Sequence, residues 1–219
     1  MIVVLGSLAL REAPAATAVG RAPEIAMAAA ARGAMVEVIG RVGDDRAGDA
    51  LVIALAGAGV GHAAVLRDPV HATPVVPPAV DDDPDPFADD APLPAGASGG
   101  GPRLEPADVT LGLSYLTSFG VLVVADDVPA GALPACIEGA QFAGAHLVVL
   151  LRSGRRPPAT VPADATVLVA PDVEDDGAFA ALVGAYAAAV DGGDEPAAAF
   201  RIATGSVGWE TAVAEAYPG

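Results

Sequence analysis

Four short segments carry the residues best suited to chemistry. Gly43-Asp44-Asp45 closes one apolar stretch and precedes an Ala-rich one, which places its carboxylates where a strand hands over to a helix. An aspartate there can accept protons or hydroxyl hydrogen bonds, or it can cap the helix by accepting from the free N–H groups of its first turn. Capping is the favoured reading of Asp44 and Asp45, with Gly43 supplying the tight turn. Thr204-Gly205-Ser206-Val207-Gly208 bears two glycines, and at a helix start its amides would cradle a phosphate. Glu210 is the nearest following acid and lies too far into the next stretch to be more than a weak candidate base. Glu174 opens another helical stretch, where a carboxylate reads first as a partner of the helix dipole and only second as a magnesium ligand.

Other reactive types are scattered. His62, His71 and His146 share no metal-ligand spacing and read as surface or strand-end residues. Ser7, Ser114, Ser118, Ser153 and Ser206 stand in no Gly-x-Ser-x-Gly elbow, which weakens a hydrolase reading for them. Arg152, Arg155 and Arg156 form the one basic cluster, fit for a small anion or, more simply, for a solvated loop. Cys136 is the single cysteine, so no internal disulfide forms, and its apolar neighbours predict a buried thiol.

Composition narrows the classes further. The net charge is −17, with 28 acidic residues against 11 basic ones, all of them arginine. Such a field repels phosphate backbones and anionic lipid, so neither nucleic acid nor membrane is an expected partner. Hydrophobic residues reach 53% while aromatics are 4%, which predicts a core of Ala, Val, Leu and Ile. Residues 1–10 are apolar but too short to span a bilayer, and a cytoplasmic setting is expected.

These candidates need elements to position them. Residues 2–5, 35–39, 121–125, 146–151 and 166–170 read as buried strands, with 200–203 a sixth. Helices are expected over 24–31, 46–58, 106–117, 131–143 and 175–190. The alternation predicts one α/β domain over 1–219, a doubly wound, mostly parallel sheet with helices on both faces. Residues 73–102 break the pattern: Pro and Gly interleave with Asp81, Asp82, Asp83, Asp85, Asp89 and Asp90, so the segment is predicted to be a flexible, solvated acidic loop.

Several segments in this order resemble the ribokinase (PfkB) family of sugar kinases. Met1-Ile2-Val3-Val4-Leu5-Gly6-Ser7 is similar to the family's first strand and turn. The match is most specific at Gly40-Arg41-Val42-Gly43-Asp44-Asp45-Arg46-Ala47-Gly48, which resembles its GxVGxDxxG turn. Leu55-Ala56-Gly57-Ala58-Gly59-Val60 is similar to the end of the next helix, and Thr73 stands where many members carry a threonine after a strand. Taken together, residues 1–72 and 104–174 are covered.

The resemblance implies a sugar site, which would involve Gly20, Gly43 and Asp44, and a nucleotide site, which would involve Glu174, Thr204, Gly205, Ser206 and Gly208. At both, the sequence departs from the family. Val19-Gly20-Arg21-Ala22-Pro23-Glu24 falls on the family's GGKGAN motif without its asparagine, and Arg11 or Leu10 falls where a sugar-binding aspartate would stand. In place of the family's NxxE motif is Pro171-Asp172-Val173-Glu174. The GAGD motif, whose amides hold phosphate and whose aspartate is the base, does not occur in the 219 residues. The family's lid comes from two insertions, here reduced to residues 12–19 and replaced by the acidic loop, so lid strands are expected to be absent.

The expectation is a degenerate ribokinase-like protein without kinase activity that binds a sugar, a nucleoside or a protein partner. It would need no cofactor and form a monomer or weak dimer. The alternatives are an atypical sugar or nucleoside kinase using ATP and magnesium, and a structural domain without ligand.

Overall fold

The structure is a computed structural model that describes residues 1–12, 15–77, 101–125, 128–129, 131–171 and 177–207. In chain order the elements are β1 (Ile2–Leu5), β2 (Ala9–Arg11), β3 (Thr17–Val19), α1 (Arg21–Ala30), β4 (Val36–Gly43), α2 (Arg46–Gly57), β5 (Gly61–Asp68) and β6 (Val75–Val76). There follow α3 (Pro106–Tyr115), β7 (Val121–Val124), α4 (Ala132–Ala143), β8 (His146–Arg152), β9 (Thr166–Ala170), α5 (Ala178–Asp191) and α6 (Pro196–Val207).

Six strands form one parallel sheet in the order β5-β4-β1-β7-β8-β9. Because β1 sits in the middle and the chain winds outward in both directions from it, the arrangement is the doubly wound α/β class. Alternate side chains of each strand enter opposite cores. Ile2 and Val4 of β1 join Val121, Val123, Val148 and Leu150 against α1, α2, α5 and α6. Val3 and Leu5 join Leu122, Val124, Leu147 and Val149 against α3 and α4. The four residues of β1 are completely buried, as a strand covered on both faces requires.

Small residues set the helix spacing. Gly184 of α5 lies so close to α1 that a Cβ there would meet the Ala28 Cβ at 2.7 Å and the Ile25 carbonyl oxygen at 3.0 Å. Cys136 of α4 is buried, and burial pushes its thiol up to about 12. At the N-terminal ends of β8 and β9, His146 Nε2, the Thr166 hydroxyl and the Tyr186 hydroxyl lie 2.7–3.1 Å from one another. Burial lowers the His146 pKa, partly offset by the Asp164 charge, and raises that of Tyr186. No described helix is long and apolar enough to cross a membrane.

Three features differ from the sequence reading. Residues 200–203 lie in α6, not in a strand: Ala199 and Ala203 are both buried, and their spacing of four belongs to a helix face. β5 was not expected, because at the sheet edge His62 and Ala63 face solvent and blur the apolar run. The expected absence of lid strands is also corrected. A second, three-stranded sheet, β3-β2-β6, is not hydrogen-bonded to the main one, but its Leu10 and Ala18 share a core with Ile2, Val4 and Leu51. Its strands β3 and β6 arise in the two segments where the family's lid insertions would fall. With two or three residues each, they are too short to show an alternation in sequence. Most of the expected acidic loop, residues 78–100, lies outside the described residues.

Candidate functional site

The C-terminal ends of β4 and β5 and the start of α2 converge on one hydrogen-bonded cluster. Asp45 is the N-cap of α2, and its Oδ1 accepts from the Gly48 amide at 2.7 Å. The same carboxylate accepts the Thr73 amide at Oδ2 and the Thr73 hydroxyl at Oδ1, both at 2.8 Å. The Thr73 hydroxyl in turn accepts from the Gly43 amide at 2.8 Å. Desolvation pushes the Asp45 pKa up, but the Gly48 and Thr73 donors, with the Arg67 charge, outweigh it and hold the carboxyl below its usual range. Arg67 closes the cluster by donating to the Gly43 carbonyl at 3.1 Å and to Asp49 at 2.7 Å.

A second cluster adjoins it at the end of β5. Asp68 accepts the Val70 and His71 amides at 2.9 and 3.1 Å, and its Oδ2 lies 3.1 Å from His71 Nδ1. The Val70 amide chiefly holds its carboxyl at about 2, against desolvation, with the His71 amide and ring adding to the effect. Arg41 bridges Asp68, at 3.7 Å, to Asp108 at the start of α3, at 3.2 Å. Asp44, Asp45, Asp68 and His71 line an open cavity of about 150 Å³ between these groups. Carboxylates with one imidazole suit a ligand rich in hydroxyls or positively charged. Among the described residues, no three or more His, Cys, Asp or Glu side chains converge as metal ligands would.

The structure places the sequence candidates unevenly. Asp45 caps α2 as expected, while Asp44 is exposed at the cavity rim. Gly43 is buried, with both its amide and its carbonyl already bonded within the chain. Gly20 sits beside the Ser7 carbonyl at the end of β1, with φ 106°. Its amide donates to Glu24 Oε1 at 3.0 Å, so a carboxylate of the chain itself occupies the start of α1. Pro23 falls in the first turn of α1, where its missing N–H has no helical partner to lose.

Thr204 and Gly205 are corrected: they lie in the last turn of α6, not at a helix start, and the Thr204 hydroxyl donates back to the Phe200 and Arg201 carbonyls at 3.1 Å. Amides inside a helix are committed to its own carbonyls, so those of Thr204 and Gly205 are not presented to a phosphate in this arrangement. Ser206 belongs to the same helix. Glu174, Gly208 and Glu210 lie outside the described residues. The sequence reading missed Asp68, His71, Arg41 and Arg67. An Asp-Pro pair at 68–69 was the available sign of a strand ending in a turn.

No family model matches the sequence, and neither does any curated protein. Solved structures do. The crystal structure of Sa239 superposes with a TM-score of 0.66 over 94% of this chain and 92% of its own, at 14% identity. A protein from E. coli assigned as ribokinase II, in its apo form, gives a TM-score of 0.65 over 92% of this chain and 89% of that one, at 13% identity. The fold is ribokinase-like. A protein from Staphylococcus aureus assigned as a phosphofructokinase shares it with a TM-score of 0.58, 11% identity, and coverage of 93% and 89%. Within the ribokinase-like fold, the GxVGxDxxG resemblance falls on the end of β4 and the start of α2, where Asp45, Thr73 and Gly43 bond to one another. The E. coli ribokinase II has also been crystallised with ATP and Mg²⁺, at a TM-score of 0.64 and 12% identity over 92% and 89% of the two chains.

Proposed function

We propose that this ribokinase-like protein does not transfer phosphate and serves as a binding domain, taking a small hydroxyl-rich ligand such as a sugar or nucleoside, or a protein partner. The observation that carries this reading is the placement of Thr204 and Gly205 inside α6. Without amides at a helix start, the charge developing on a transferred phosphate has no cradle there. Removing a single such donor typically costs about 10² to 10³ in rate, and removing a general base about 10² to 10⁴. The Gly20 and Gly43 amides are likewise engaged by Glu24 and Thr73, and the ligand is assigned to the cavity beside Asp44 and His71, whose carboxylates and imidazole suit hydroxyl groups. No cofactor is part of this proposal.

A second reading, an atypical sugar or nucleoside kinase, draws support from the ATP and Mg²⁺ complex of the E. coli neighbour. A coupled ADP-release assay across sugars and nucleosides separates the two. Turnover at background supports the binding domain, and turnover above about 1 s⁻¹, the low end for kinases, overturns it. Thermal shift with the same compounds follows. A ligand at about 100 times its dissociation constant adds about 2.7 kcal/mol. No shift with any of them leaves the protein partner as the remaining form of the proposal.

A further inference from the structure

The two edges of the main sheet are built differently. β5, at one edge, carries His62, Arg67 and Asp68, and its register against β4 shifts between Glu37 and Ile39, where the Glu37 carboxylate accepts the Ala63 amide at 3.3 Å. Charged side chains and an irregular register are the usual protections of an exposed edge. β9, at the other, has none of them. Its sequence Thr-Val-Leu-Val-Ala bears no charge or proline, its five pairs with β8 are unbroken, and Val169 is 55% exposed. No described strand pairs with its outer side. An uncharged, β-branched edge of this kind is a template for strand addition.

Charge around β9 indicates what adds. Residues 153–165 return from the end of β8 to the start of β9 without a helix, so Arg155 and Arg156 stand by the C-terminal end of the edge and Asp164 by its N-terminal end. All three are exposed. An antiparallel neighbour reverses these ends and brings arginines to aspartate at both. A second copy of the chain does this by symmetry, because a two-fold axis pairs a surface with itself.

We propose that two copies associate through β9, edge to edge and antiparallel about a two-fold axis near Leu168, joining their sheets into one of twelve strands. Arg155 and Arg156 of each copy then face Asp164 of the other. The proposal is independent of what the cavity binds.

Sedimentation of the whole chain at about 0.15 M salt, where screening length is about 8 Å, tests it. A concentration-dependent dimer is expected. Val169→Lys, on an exposed side chain, should leave the circular dichroism spectrum unchanged and yield monomer. Arg155→Glu with Arg156→Glu should weaken the dimer by about tenfold or more, and adding Asp164→Arg should restore it. A chain that stays monomeric at every concentration overturns the proposal, as does a dimer indifferent to Val169→Lys. Failure of Asp164→Arg to restore the dimer overturns it too.

Discussion

Thr73 gives both of its polar hydrogens to the two oxygens of Asp45, amide and hydroxyl each at 2.8 Å. One buried threonine thereby ties the chain leaving β5 to the first turn of α2. Through the Gly43 amide it also ties in the end of β4.

Thr73→Val keeps the shape and leaves the Gly43 amide unsatisfied, so a loss of about 1–3 kcal/mol is expected. Asp45→Ala removes the cap of α2, worth about 0.5–2 kcal/mol alone, and strands the Thr73 donors as well. Since the two residues share one network, the double variant should lose clearly less than the sum. Urea denaturation of the four proteins decides it, and strict additivity would contradict the shared role.

Asp68 makes stability depend on pH in acid. Its carboxyl is held at about 2 in the folded chain and titrates near 3.9 in an unfolded one. The stabilisation is therefore complete above about pH 4 and disappears as the pH falls toward 2. Asp68→Asn should flatten thermal stability across that window while lowering it at neutral pH. An unchanged profile between pH 5 and 2 would show that the Val70, His71 and Arg41 contacts do not favour the ionised form.

Two glycines should respond oppositely to alanine. Gly184→Ala forces α1 and α5 apart at Ala28 and should cost about 1–3 kcal/mol. Gly205, in α6, has nothing within 4 Å of an added Cβ. Alanine there should stabilise by about 0.4–1 kcal/mol, by favouring the helix. A destabilising Gly205→Ala, measured by thermal unfolding, would mean that 204–205 form a turn after all and would revive the phosphate cradle.

Cys136 should be silent to thiol reagents in the folded protein. Its thiol is buried and pushed up to about 12, so almost no thiolate exists at neutral pH. Reaction should track global unfolding in a denaturant series. Fast labelling in native buffer would place α4 in a far more open setting.

The sheet was legible because its inner strands are uniform. Ile2–Leu5 and Val121–Val124 are apolar at every position, as burial on both faces demands. The edge strand β5 was hidden because one side of it meets water, and β6 because two residues carry no period. Asp45 was readable as a cap from local sequence alone. Its partner Thr73 was marked only by resemblance, and the Asp68–Arg41–Asp108 chain joins residues up to 67 positions apart that no spacing rule connects. At 200–205 a short apolar run followed by glycine suits a strand and turn equally well, and burial of Ala199 and Ala203 tips it to helix.

The central place of β1 carries a consequence for synthesis on the ribosome. One flank of Ile2–Leu5 is met early, by β4, but the other waits for β7. Nearly 80 residues separate Gly43 from Val121, a delay of about 4–16 s at translation rates of about 5–20 residues per second. Throughout that interval the nascent chain presents a wholly apolar strand with one edge unpaired, because the partner for that edge has not been made. The segment most deeply hidden in the finished molecule is thus the one longest in need of shelter, and slow codons between α2 and β7 would prolong its exposure rather than help it fold.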